Sequence, residues 1–193
     1  MREDPETIMA GWMRRFGRLL GLLVAVAMLA GCGDMEIDDF AGRSPPLVLE
    51  EFFAGRVEGW GILQSRFGTL RRQFRIDAEG EWDAGTRTLR LTETWRFDDG
   101  EEDVLDWTIR RTGPRSYEGH EPSLIGPARG VQAGNAFRWT YRRQAPSTGG
   151  TRLSFDDWFW LQPGGVLIAR ASVRRFGLEI ATLSVFYRRR PPP

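Results

Sequence analysis

The chain has 193 residues, with 27 basic side chains, every one an arginine, against 26 carboxylates, and it contains one histidine and one cysteine. With 41% hydrophobic and 27% charged residues it is neither a disordered tail nor a multi-span membrane protein, and its length suits one domain. The lone cysteine excludes a disulfide scaffold, and the lone histidine leaves no material for a His-rich metal centre.

The first element is an unbroken run of apolar and glycine residues from Leu19 to Ala30, preceded by Arg14, Arg15 and Arg18 and ending in Leu29-Ala30-Gly31-Cys32. A dozen residues fall short of the ~20 that a membrane-spanning helix needs. A basic flank, a short apolar core and a small-residue exit make an export signal. Leu-Ala-Gly-Cys resembles the bacterial lipobox, in which signal peptidase cleaves before the cysteine and its thiol carries a diacylglycerol. Residues 1–31 therefore read as a lipoprotein signal peptide and Cys32 as the lipid attachment site, with several acyl chains making the anchor effectively permanent. Gly33 stands where an aspartate would signal inner-membrane retention, so the expected address is the periplasmic face of the outer membrane. Arg14-Arg15 is followed directly by Phe16 and not preceded by Ser or Thr, which disfavours a twin-arginine signal. Glu3, Asp4 and Glu6 are unusual in a signal's basic region, so Met9 and Met13 are alternative starts to Met1. The mature chain of 162 residues keeps 23 arginines and 23 carboxylates. That neutrality argues against nucleic acid, whose binding rests on phosphate neutralisation by a basic surface. A chain of this length buries ~70% of its unfolded surface, so it needs no disulfide staple.

Residues 32–46, acidic and then Ser-Pro-Pro, carry no hydrophobic period and read as a lipidated cysteine followed by a flexible tether. Leu47 to Phe53 suits a short helix. From there the signal is period two. In 70–83, Leu70, Phe74, Ile76, Ala78, Gly80 and Trp82 alternate with Arg71, Gln73, Arg75, Asp77, Glu79, Glu81 and Asp83. The pattern returns in Leu89, Leu91, Trp95 and Phe97, in Leu105, Trp107 and Ile109, in Phe137, Trp139 and Tyr141, and in Leu153, Phe155, Phe159 and Leu161. Glycine turns such as Phe67-Gly68, Asp99-Gly100 and Phe176-Gly177 separate the runs. The count is nine or ten strands. Residues 189–193, Arg and Pro, read as a tail.

Long alternating strands without helices hide their apolar face by packing two sheets or by closing into a barrel. Strands of ~10 residues joined by tight hairpins, with no Cys-Trp-Cys framework, favour an all-β, up-and-down antiparallel barrel of about 8–10 strands over 47–188. Such a barrel has room for side chains or one small ligand. The densely charged exposed face disfavours an outer-membrane pore.

The chain resembles a family of bacterial lipoproteins filed as domain of unknown function 3833. The resemblance is carried by Glu51-Phe52-Phe53, Trp60-Gly61-Ile62, Asp98-Asp99-Gly100, Trp107-Thr108-Ile109, Tyr117-Glu118-Gly119 and Gly126-Pro127-Ala128-Arg129-Gly130. It continues in Gln132-Ala133-Gly134-Asn135-Ala136, in Phe155-Asp156-Asp157-Trp158, and in Arg170-Ala171 leading to Arg175-Phe176-Gly177. It implies a lipocalin-like, calycin-type barrel and an export lipobox, and assigns no activity. It also implies gene neighbours that modify lipids, which tilts the ligand toward acyl chains. Lipocalins carry a Gly-x-Trp tryptophan that closes the barrel base; here Trp60 follows Gly59 directly, so the spacing differs, and Trp60 is read as a structural closure residue with Arg188 or Arg175 to stack on it.

Charges on the dry faces are the candidate site. Arg72, Glu93 and Asp157 interrupt apolar rows, and an unpaired charge inside would cost several kcal/mol, so each needs a partner. The expected interior cluster is Arg72, Glu93 and Asp157 with Arg170 or Arg175, either self-paired or forking an arginine onto a ligand carboxylate. Trp82, Trp95, Trp107, Trp139 and Phe155 would line the apolar pocket. Asp156 and Asp157 are neighbours on a strand and point to opposite faces, so they cannot form a catalytic pair. Parity selects Asp157 as the inner one, at the expense of leaving Trp158 and Trp160 outside; with the even face inward, Asp156 takes its place in the cluster. His120 has no Gly-x-Ser-x-Gly elbow or orienting acid near it, and no metal-ligand spacing or cofactor motif is present. The leading expectation is an anchored barrel that binds or shuttles a fatty acyl or other lipid-like ligand. Against it stand a ligand-free envelope accessory protein with a protein partner, and a carboxylate-based lipid-modifying enzyme.

Overall fold

Strands whose side chains alternate wet and dry bury one face only by curling around it. Ten such strands do so here in the computed structural model, which describes residues 35–145 and 150–191. They are β1 (Gly55–Ser65), β2 (Leu70–Asp83), β3 (Thr88–Phe97), β4 (Glu102–Arg111), β5 (Ser116–His120), β6 (Ala128–Ala133), β7 (Ala136–Ala145), β8 (Thr151–Leu161), β9 (Val166–Arg175) and β10 (Leu178–Arg189). Each pairs antiparallel with its neighbours in the chain, and β1 pairs with β10, so the sheet is a closed barrel with no free edge. The expected all-β, up-and-down barrel is the fold observed. Bulges at Leu63/Gln64 on β1 and Glu179/Ala181 on β10 flank the seam.

One end, the base, holds the β2–β3, β4–β5, β6–β7 and β8–β9 turns together with the start of β1. It is closed by a single helical turn, α1 (Leu49–Phe53), within the span expected to be helical. Leu47, Leu49, Phe52 and Phe53 are buried in the plug, and Phe53 meets Tyr187 edge-on at 5.7 Å. Each such burial contributes roughly 1.5–3 kcal/mol. Gly80 makes the close approach possible: a Cβ there would lie 2.1 Å from the carbonyl oxygen of Phe53. Glu50 is also buried, accepting from Arg111 Nη1 at 2.8 Å and from the Tyr117 hydroxyl at 2.8 Å. Paired in this way it is a fastener rather than an orphan charge.

The segment before the plug corrects one expectation. A free tether over 32–46 does not describe it, because Ile37–Phe40 forms a 3₁₀ turn with Phe40 buried, and the compact unit begins at Ile37. Phe40 covers the outer faces of Trp158 and Trp160 at 5.8 and 6.4 Å, and those two rings stack with centroids 6.0 Å apart. This docking accounts for two outward tryptophans on a strand whose inner face is also apolar. The tail is corrected too: β10 runs through Arg189, and Arg190 still donates its N–H to Arg56 at 2.8 Å and its side chain to Glu58. The seam with β1 gives these residues a ladder that the sequence alone does not reveal. The signal peptide, Cys32 and Gly33 lie outside the described residues.

Candidate functional site

The inner positions of β3, β4, β7, β8 and β9 are odd-numbered, and they enclose a cavity of about 360 Å³ that runs from the α1 plug toward the opposite end, the mouth. Its wall is largely aromatic. Trp107 meets Trp139 and Tyr141 edge-on at 6.0 and 5.6 Å, Tyr141 stacks on Phe155 at 4.7 Å, and Phe74 packs between Trp95 and Phe97. Gly130 leaves the room for this wall, since a Cβ there would sit 2.4 Å from the Phe137 and Trp139 rings. Trp95, Trp107, Trp139 and Phe155 line the cavity as expected from parity. Trp82 is on the inner face, part-buried against the core at the base, and is not among the lining residues.

At mid-barrel the wall carries two buried carboxyls, Glu93 and Asp157. Burial pushes Glu93 up to about 7, held back by donors from Trp107 and Tyr187 and by the Arg143 charge. The Trp95 indole N–H also turns toward Glu93 but falls short of hydrogen-bond geometry and has no other partner. Burial, reinforced by the Asp156 and Glu93 charges, holds Asp157 well above the usual carboxylate range, with the Tyr141 hydroxyl acting against it. Tyr141 and Tyr187 are raised by burial and by these acids. Glu93 is therefore about half-ionised at pH 7, and an anion placed beside this belt meets acids.

Cations stand higher, at the mouth. The Arg72 guanidinium lies 3.7 Å over the Phe97 ring and bonds Glu101 at 2.9 Å as well as Asp99. Arg143 donates to Ser123 Oγ at 2.7 Å and to Asp103 at 3.1 Å. Arg72 Nε, Trp95 Nε1 and Asp157 Oδ1 are buried without a partner among the described residues, and all three residues line the cavity.

Parity thus places Arg72, Glu93 and Asp157 on the inner face, but the structure divides them between mouth and belt instead of joining them in one cluster. Arg170 is among the residues lining the cavity but is not joined to them: it alternates with Ala169 and Ala171, is exposed, and forms no ion pair among the described residues. Arg175 sits at the mouth rim, exposed, over the ring of Phe176. Trp60 does not close the base. It lies on the outer wall at the β1–β10 seam, opposite Phe186 and 39% exposed, because Gly59 and Gly61 take the inner positions. Asp156 faces outward in a two-pronged ion pair with Arg138, both bonds 2.8 Å. His120 is exposed, 3.4 Å from Glu118, and Ser123 is bonded to Glu121 and Arg143. Arg143, Tyr141 and Tyr187 were not anticipated as site residues. The first two continue the row of Phe137 and Trp139 at period two, and that signal was sufficient to find them.

A family described as protein of unknown function, DUF3833, matches residues 26–189. The chain belongs to this family. No curated protein matches the sequence. Among solved structures, this DUF3833 chain is similar to an S-type phycobiliprotein lyase from Guillardia theta, at 10% identity and TM-score 0.55 over 76% of this chain and 95% of that one. It is also similar to a protein of unknown function of the DUF3598 family from Nostoc punctiforme, at 12% identity and TM-score 0.52 over 76% of this chain and 50% of that one. At these identities the likeness is one of fold, a lipocalin-like barrel.

Proposed function

We propose that this DUF3833 protein binds one acyl-chain molecule, its tail within the aromatic cavity and its polar head at the mouth, while acylated Cys32 holds the protein to the periplasmic face of the outer membrane. The observation that carries the reading is the cavity itself: about 360 Å³, within the ~300–1,000 Å³ range of small-molecule sites, with three buried unpartnered polar atoms on its wall. A filled, purely structural barrel has no reason to retain such a space, since empty volume forfeits packing energy. The placement of charge sets the orientation. An anionic head is disfavoured beside Glu93 and Asp157 and favoured beside Arg72 and Arg143, where the fork of an arginine suits a carboxylate or phosphate. Anchoring rests on the Leu29-Ala30-Gly31-Cys32 string. Native mass spectrometry of the protein purified from its own envelope is expected to show a co-purifying lipid, and a fluorescent fatty acid is expected to bind saturably with energy transfer from Trp95 and Trp107. Ala171→Trp, which fills the cavity from β9, should abolish that binding while the barrel remains folded. A clean apo mass together with no saturable binding would overturn the proposal.

A further inference from the structure

The mouth rim carries a feature that the cavity does not need. Two neighbouring hairpin tips have the same sequence, Arg66-Phe67-Gly68 between β1 and β2 and Arg175-Phe176-Gly177 between β9 and β10. They are tied together by Arg66 N–H to the carbonyl of Ile180 at 3.0 Å. In both, the aromatic ring points away from the protein: Phe67 is 82% and Phe176 90% exposed, each under the guanidinium of its preceding arginine at 4.7 and 5.2 Å. Phe176 holds this place at φ 51°, followed by Gly177 at φ 80°, a turn conformation suited to Asn, Asp or Gly and not to a large side chain. Leu178, 65% exposed, extends the apolar edge inward to Ile180, which lines the cavity.

From these observations we infer that the rim docks on an anionic lipid bilayer, with Phe67 and Phe176 inserting among the acyl chains. Charge complementarity selects this occupant. Arg66 and Arg175 lie over the two rings, Arg71 and Arg174 stand close by in the flanking strands, and all four are exposed and form no ion pair among the described residues. Most acids of the mouth are engaged, Asp99 and Glu101 with Arg72, Asp103 with Arg143 and Glu179 with Ser172, while Asp98 on the β3–β4 turn stands exposed. Isolated aromatic tips ringed by arginine suit a fluid interface, where rings enter the acyl boundary and cations meet phosphates. The rim is unobstructed by the 37–53 segment, which packs at the base and on the outer faces of β6–β8. Docking brings the open cavity to the membrane, so that an acyl ligand passes between the two without crossing water; this second part rests on the ligand reading above, and the docking does not.

The test uses the mature chain from residue 32 carrying Cys32→Ser, with a polarity-sensitive fluorophore on Thr69→Cys at the first tip or on Gly85→Cys at the base, and vesicles of phosphatidylcholine with or without one quarter phosphatidylglycerol. The Thr69 probe should brighten and be quenched by spin-labelled lipid, more strongly with phosphatidylglycerol, while the Gly85 probe stays in water. Phe67→Ser/Phe176→Ser should return the Thr69 probe to water and slow loading of a fluorescent fatty acid from vesicles by about tenfold or more, leaving its binding from aqueous monomer unchanged. A Thr69 probe as water-exposed as the Gly85 probe on both vesicle types overturns the docking. So does burial of the Thr69 probe without vesicles that grows with protein concentration, which would make the rim a self-association surface. Insertion of the tip without any fatty-acid binding would leave docking standing and sink the ligand reading alone.

Discussion

The two ends of the barrel use the same residue types to opposite effect. At the base Glu50 accepts from Arg111 and Tyr117 beneath a plug of Leu49, Phe52 and Phe53, and the carboxylate is buried. At the mouth Arg72 meets Asp99 and Glu101, which are half-exposed, and the large apolar side chains nearby, Phe67 and Phe176, stand in solvent. Burial makes the base pair costly to break, whereas water makes the mouth pairs cheap to exchange. Stability is concentrated at one end, and adaptability at the other.

The comparison can be broken at three places. Glu50→Ala leaves a guanidinium and a phenol without their acceptor under the plug and should cost about 3–4 kcal/mol in urea denaturation; a loss below about 1 kcal/mol would show that the plug holds without its ion pair. Glu93→Gln probes the belt between the ends. In the native barrel Glu93 keeps its proton up to about 7, whereas the unfolded chain releases it near the ordinary 4.5. The native state thus binds more protons between these values, and stability falls as pH rises through that window, with the penalty constant above it. Removing the ionisable group should therefore stabilise the protein by on the order of 3 kcal/mol at pH 8 and by almost nothing at pH 4. Equal thermal shifts at both pH values would contradict the raised pKa. Arg72→Met has the smallest expected effect on folding, less than about 1 kcal/mol, because its carboxylate partners are exposed. Fluorescent fatty-acid titration of the same variant sharpens the contrast, since an affinity equal to that of the wild type would remove Arg72 from the ligand site.

Much of the interior was legible from alternation alone. The rows of β3 and β8 put Glu93 and Asp157 inside, and the structure finds both there. Arg143 lies on an equally clear row, but it ends the apolar run instead of interrupting it, so alternation marks it less sharply as an inner charge. Arg170 is harder to place, because on its strand, Val166–Arg175, the inner residues Ala169 and Ala171 are small and their row is weak beside the larger outer ones. Glu50 gave no signal, as five helical residues are too few to show a period. Trp158 and Trp160 face outward because Phe40, more than a hundred residues earlier, covers them, a contact that local alternation does not reveal.

By itself, then, the sequence determined the strands and the face that most side chains take, because these depend on neighbours one or two residues apart. It did not determine which end of the barrel closes, or which charges meet. Those follow from contacts between distant strands, such as Glu58 of β1 with Arg190 beyond β10 and Asp103 of β4 with Arg143 of β7. Register across a closed sheet fixes such pairs, and only the folded barrel sets that register.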